Sequence, residues 1–203
     1  MSKKPKPNLK AIRKQIRQAR QAIPKNYSAQ ASYKFSESIG GLESYQTASR
    51  IGAYVPFEGE ADSLPLMDRA ILEGKEVYVP IIVAKDTPLK FAAWSRDAKT
   101  RKNSFGIDEP DVAADELLDG TDLDFVITPL VAFDDRCNRI GVGGGFYDRT
   151  FAVLNGVESK DRTTQLIGIA FEMQRIDAID SQDWDVRLDG VVTELMARQW
   201  HLL

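Results

Sequence analysis

The chain has 203 residues, 43% of them hydrophobic and 28% charged, with a formal net charge of −3, the balance of a soluble globular protein long enough to bury a sizeable core in one domain. A single cysteine, Cys137, excludes an internal disulfide framework and a multi-cysteine metal site, and a single histidine, His201, argues against a histidine-based triad. No apolar run has the length of a membrane span and the first residues lack the apolar core of a secretion signal, so a cytoplasmic protein is expected. Charge is unevenly spread: residues 1–36 carry ten Lys/Arg and no Asp/Glu, leaving 17 basic and 30 acidic residues on the remainder. A basic arm on an acidic body points to an anion as the arm's target.

Residues 1–8, with two prolines and three lysines, read as a flexible tail. From Asn8, a candidate N-cap, to Ile23 the spacing is helical. Ile12, Ile16, Ala19 and Ile23 share one face, while Lys10, Arg13, Arg17 and Arg20 share another, the two stripes lying roughly 110° apart at ~100° per residue. Such a helix docks by its isoleucines and still aims cations at a neighbouring site; Arg17 and Arg20 read as an ordinary solvated face. The pattern then predicts a helix over 29–42 ending at Gly40-Gly41, a strand over 50–55, a helix over 63–72, and strands over 76–83 and 89–94. A turn-rich loop at 105–110 precedes a strand over 124–133, a helix over 146–154, a strand over 165–171 and a short strand over 190–194. Alternating strands and helices give an α/β sandwich with a mainly parallel sheet.

Two segments carry chemistry. Between Arg139 and Asp148, Gly141, Gly143, Gly144 and Gly145 crowd a turn that opens a helix, where backbone N–H groups can approach a phosphate. The segment is not a Walker A loop, since no Gly-Lys-Ser/Thr follows, and Phe146 stands where a dinucleotide fingerprint would have its third glycine. Arg139 can pair with phosphate, and Asp148 is an oxygen ligand for Mg²⁺ or a first-turn residue complementing the helix dipole. The second segment runs from Tyr54 to Ser63, just past a strand end, and places aromatics beside Glu58, Glu60 and Asp62, a setting for a flat, nitrogen-rich ring. Asp62 or Ser63 would also cap the next helix. Trp94 and Phe105 read as core, and Tyr147 as core or site. A phosphate-handling enzyme of another class and an RNA-binding protein remain the rival readings at this point.

Taken together these blocks resemble the 5-formyltetrahydrofolate cyclo-ligase family, also called 5,10-methenyltetrahydrofolate synthetases. The resemblance rests on Arg-x-Gly-x-Gly-x-Gly-aromatic-Tyr-Asp at 139–148, Lys10-x-x-Arg13, the Tyr-x-Pro segment leading to Glu60-Ala-Asp-Ser, and the block at 105–110. The Thr-Pro at 128–129, Ile167 to Glu172, Asp185 and Leu188 to Thr193 add to it. It implies a three-layer α/β fold and the closure of 5-formyltetrahydrofolate to 5,10-methenyltetrahydrofolate with ATP and Mg²⁺, releasing ADP and phosphate through phosphorylation of the formyl oxygen. By position it implies ATP contacts at Lys10, Ala11, Ile12, Arg13 and Lys14 and at Arg139, Ile140, Gly141, Val142, Gly143, Gly144, Gly145, Phe146 and Tyr147. It implies folate contacts at Val55, Glu60 and Tyr147, Mg²⁺ at Asp148, and catalytic cations at Arg139 and Lys10. The expected protein is a monomer whose partners are ATP and a folate, with no nucleic acid and no membrane. Two positions depart from the family pattern: Gly144, where some members carry a lysine, and Trp184, where some carry a histidine.

Overall fold

The structure is a computed structural model, and it describes residues 8–103 and 106–199. The tail, apart from Asn8, lies outside the described residues, as do Phe105 and His201. Helix α1 (Leu9–Gln21) starts where expected, with the Asn8 side chain accepting from Ala11 N at 3.2 Å. Helix α2 (Lys25–Gly40) begins four residues earlier than the periodicity predicts, because Pro24 supplies an extended entry, and α3 (Glu43–Thr47) follows. Strand β1 (Arg50–Gly52), helix α4 (Leu64–Leu72), strand β2 (Glu76–Ile81) and strand β3 (Lys90–Ala93) are shorter than their apolar runs but correctly placed. The Ser63 hydroxyl turns back to donate to Tyr54 O, so Asp62 does the capping, its Oδ1 accepting from Leu64 N at 2.9 Å.

The expected loop around 105–110 is instead half of a hairpin, β4 (Thr100–Lys102) against β5 (Asp108–Pro110). β4 is exposed throughout, so no alternation marked it. The run over 124–133 breaks in two. β6 (Leu118–Asp119) precedes β7 (Phe125–Thr128); Pro129 lacks a ladder N–H, and the chain leaves the sheet to form β8 (Ala132–Phe133), which pairs with β9 (Arg139–Ile140). After α5 (Phe146–Thr150) come β10 (Gln165–Ile169), β11 (Gly190–Val192) and β12 (Ala197–Gln199).

The large sheet has the order β12-β11-β10-β7-β1-β2-β3-β6; its five central strands, β11 to β2, run parallel and the edge pairings are antiparallel. Strand residues alternate between two cores. Phe125, Ile127 and Ile167 face α2 and α4, while Val126, Leu166 and Val191 face the side covered by Phe151 and Leu154. This is the three-layer α/β sandwich expected. The chain crosses from β1 through α4 to β2 on one side, then returns to β7 on the other side of β1. The β1/β7 boundary is therefore the topological switch point, and ligand crevices in such sheets open there, beyond the carboxyl ends of the strands. No helix among the described residues is long and apolar enough to cross a membrane.

Behind α5 the chain is anchored by a buried ion pair. Arg162 Nη1 reaches Asp189 Oδ1 at 3.2 Å and Arg187 O at 2.9 Å, and Asp189 Oδ2 accepts from Leu166 N at 2.7 Å. With the two side chains 7% and 2% exposed, Asp189→Ala would strand the guanidinium out of water. A loss of about 3–5 kcal/mol is expected in urea unfolding.

Candidate functional site at the switch point

Helix α1 is held against the β8–β9 ribbon by apolar contact: Ile16 is buried with Val131, Ala132 and Ile140, and Ile12 packs on the same cluster. That docking points the basic stripe at the glycine loop. Arg13 Nε donates to Gly141 O at 2.8 Å, and its guanidinium carbon lies 3.6 Å from where a Cβ on Gly143 would stand. Lys10, Ala11 and Lys14 are exposed on the same helix.

The loop itself is shaped by Gly143 at φ 112° and Gly145 at φ 65°, left-handed conformations that side chains rarely adopt. Two of its carbonyls are tied down from outside, Gly141 O by Arg13 and Gly144 O by Arg149 Nη2 at 2.7 Å. Among the described residues, the N–H groups of Val142, Gly143, Gly144 and Gly145 donate to no protein acceptor. An exposed loop with committed carbonyls, free N–H groups and adjacent cations is built for an anion. A Cβ on Gly141 would meet nothing within 4 Å, so open space lies over the loop.

Arg139 differs from expectation. Its side chain is only 5% exposed; one Nη donates to Val186 O and the other to Asp148 Oδ1 at 2.6 Å. Val186 N adds a bond to the same Asp148 oxygen at 3.1 Å. The pair thus clamps the two ends of the loop to the segment before β11, and in this conformation the guanidinium is turned away from the loop's open face. Among the described residues Asp148 Oδ2 accepts no hydrogen bond, and the side chain stays 28% exposed. The described residues hold no cluster of three or more carboxylate, histidine or cysteine ligands.

Across the crevice, the segment after β1 folds into a tight turn. Glu60 N donates to Phe57 O at 3.1 Å, Phe57 N donates back to Glu60 Oε2 at 3.2 Å, and Glu58 and Gly59 both take positive φ, 48° and 72°. Partial burial raises the Glu60 carboxyl above its ordinary range, and the Phe57 N–H, Arg20 and Arg17 oppose that rise. Tyr147 approaches from α5, its ring stacked on Phe151 at 6.1 Å and its hydroxyl buried without a partner. Burial, and then the Glu60 charge, push that phenol up. Tyr54 closes the floor, donating to Ala61 O at 2.6 Å. Val55 is half-buried against the α2 side of the core.

The model of the 5-formyltetrahydrofolate cyclo-ligase family matches residues 5–194. The chain belongs to this family. It is 33% identical to 5-formyltetrahydrofolate cyclo-ligase from Haemophilus influenzae, covering 89% of this chain and 95% of that one, and 31% identical to the Escherichia coli protein of the same name, covering 91% and 100%. The solution structure of Aquifex aeolicus 5,10-methenyltetrahydrofolate synthetase superposes with a TM-score of 0.78 at 26% identity, over 95% of this chain and 92% of that one.

In this member of the cyclo-ligase family, α1 joins the glycine loop to the Glu60 turn, through Arg13 on Gly141 O and Arg20 on Glu58 O. Trp94 packs half-buried against the core, as expected. Arg20 was read as solvated and is not: its residue is 4% exposed, with Nη1 donating to Leu130 O at 3.4 Å and Nη2 to Glu58 O at 3.3 Å. The signal was available: four residues from Ile16 at ~100° per residue, Arg20 lies only about 40° from that buried side chain, nearer the apolar stripe than Lys10, Arg13 or Arg17.

The Arg139 geometry carries a prediction. Arg139→Ala removes the clamp, taking the guanidinium from Val186 O and leaving Asp148 only the Val186 N–H, so it should lower the melting temperature by about 5 °C or more as well as impair ATP use. A thermal melt set beside ATP saturation kinetics measures both.

Proposed function

We propose that the protein converts 5-formyltetrahydrofolate to 5,10-methenyltetrahydrofolate with hydrolysis of ATP to ADP and phosphate. The observation that carries this reading is the pairing of two subsites at one switch point: a loop of free N–H groups beside Arg13, and a turn presenting Glu60 opposite the unpartnered Tyr147 hydroxyl. The first suits a triphosphate, the second a pteridine whose ring nitrogens donate to a carboxylate.

The chemistry asks for positioning rather than a protein nucleophile. A formamide oxygen is a poor leaving group. Its attack on the γ-phosphorus breaks the bond to ADP and turns the oxygen into a phosphate ester; the second folate nitrogen then attacks the formyl carbon, loses its proton, and phosphate departs with the former formyl oxygen. Lys10, Arg13 and Lys14 supply cations over the phosphates, and the N–H groups of residues 142–145 supply fixed donors for the charge. Phe146 and Ile140 hold the loop's ends, and Arg139 acts by bracing it. Cys137 is unsuited to attack, being buried with its thiol pushed up to about 12. Asp148, partly exposed at the start of α5, would be the residue to hold Mg²⁺, which would supply neutralising charge for the phosphates, and a single carboxylate suits an ion that is usually bound by few protein ligands. A cytoplasmic monomer without nucleic-acid or membrane partners goes with substrates of this size and charge.

Protein, ATP, Mg²⁺ and 5-formyltetrahydrofolate should together develop the methenyl chromophore, and omission of ATP should abolish it; a folded protein that gives no signal overturns the reading. Gly141→Ala should melt like the parent, since its Cβ meets nothing, and should raise KM for ATP by about tenfold by occupying ligand space.

Glu60→Gln should raise KM for the folate instead, and it tests the sign of the Glu60 shift. A carboxyl whose folded pKa is raised opposes folding once ionised, so the variant should be at least as stable as the parent at pH 7. The difference should vanish below the ordinary carboxylate range, where Glu60 is protonated in both states. Paired melts at pH 7 and at about pH 3 would read this.

A further inference from the structure

We infer that Arg20 is a positioning residue for the folate subsite, latching together the two loops that flank the switch point and holding the turn that presents Glu60. This rests on the function proposed above. Its two Nη atoms are divided between segments that leave neighbouring strands: Leu130 O follows β7, and Glu58 O follows β1. No other side chain is recorded bonding both loops among the described residues. Nε is buried without a protein partner, so the guanidinium keeps one donor unused inside the crevice wall.

The turn needs such a latch. Glu58 sits at φ 48° in the first central position of a two-residue turn, where Asn, Asp or Gly is the usual occupant, and left-handed backbone costs an ordinary residue about 1–2 kcal/mol. A charged donor on the Glu58 carbonyl holds that conformation, and through it the Phe57 N–H to Glu60 Oε2 bond that aims the carboxylate. The turn also lies against the α1 backbone, a Cβ on Gly59 standing 3.8 Å from Arg20 O, ordinary van der Waals contact. Burying a guanidinium is expensive unless it is hydrogen-bonded, and burial does lower the ordinary proton affinity of Arg20; Glu60 is the acidic group that opposes this most.

The groups acting on Glu60 are Arg20 and Arg17 from α1 and Glu58 and the Phe57 N–H within the turn, while the Glu60 charge in turn raises the phenols of Tyr54 beyond β1 and Tyr147 from α5. Of the two cations, Arg20 lowers the Glu60 carboxyl more. Removing its charge lets burial raise that carboxyl further, so a larger share is protonated at a given pH. The acid limb of kcat/KM for the folate then moves to higher pH.

The experiment compares Arg20→Met and Arg20→Lys with the parent in the methenyl assay, varying the folate, ATP and pH. Arg20→Met keeps bulk and loses both charge and latch: KM for the folate should rise by about tenfold or more while KM for ATP changes less than about threefold, and the acid limb should shift upward. Arg20→Lys keeps the charge but not the forked reach to two carbonyls, so KM for the folate should rise with the limb left in place. If Arg20→Met does not fold, Arg20→Lys decides alone: a raised folate KM with a parental ATP KM supports the inference, and parental values for both overturn it. A folded Arg20→Met with parental folate KM and an unmoved limb overturns it, as does a fall in kcat with both KM values unchanged. A parent enzyme without cyclising activity would instead remove the proposed function, so the two failures are distinguishable.

Discussion

Two arginines on one helix, seven residues apart and therefore about 10.5 Å along its axis, each bind a carbonyl oxygen of a different loop. Arg13 holds Gly141 O in the glycine loop; Arg20 holds Glu58 O and Leu130 O on the other side of the crevice. Neither contact would exist if α1 were not fixed in rotation, and what fixes it is the burial of Ile16, with Ile12 beside it, against Val131, Ala132 and Ile140. An apolar stripe thus sets the aim of a charged one. The distance from Ile16 to either arginine is about one turn, so a rotation of α1 large enough to expose the isoleucines would withdraw both cations together.

The parts of the fold with strong periodicity were legible in the sequence. Phe125 to Ile127 and Leu166 to Ile169 are apolar on both sides because they serve two cores, which is why they read as central parallel strands. Where the sequence misled, a local rule was outranked by context. The apolar run over 124–133 continues past Pro129, so hydrophobicity alone extends the strand, yet a missing ladder donor takes the chain out of the sheet and into the β8–β9 ribbon. β4 has no buried face, so no pattern existed to find. α2 starts early because Pro24 fixes the entry, a matter of backbone and not of apolar spacing.

The site divides along a similar line. Gly143 and Gly145 announce themselves, since positive φ leaves a mark in composition. The Glu58-Gly59 turn does not, because glutamate is an unusual residue for its position and the conformation is held by a partner some 38 places away in sequence. The roles of the arginines invert for the same reason. Arg139 lies in the motif and is drawn inward to Asp148 and Val186 O, whereas Arg20 lies beyond the Lys10-x-x-Arg13 motif of its helix and is buried on the carbonyls of two loops. Spacing along a helix gives an angle, but whether a guanidinium at that angle meets water or carbonyls depends on the loops that come to rest there.

Those loops carry features that a protein selected for stability alone would lack. Glu58 is held in left-handed backbone, the Tyr147 hydroxyl is buried without a partner, and the Glu60 carboxyl is kept where burial opposes its ionisation. Each lowers stability on its own, a buried unpaired hydroxyl by about 1–3 kcal/mol. All three lie near the switch point, although left-handed backbone also occurs at Asp86 and Cys137 and a buried hydroxyl without a partner among the described residues at Thr164. At this site the three have a common physical reading: a ligand with donors for Glu60 and an acceptor for Tyr147 would offset their cost. The glycine loop follows the same logic with opposite sign, presenting N–H groups that an anion would satisfy. The two halves ask for complementary chemistry, and the rigid helix α1 is bonded to both.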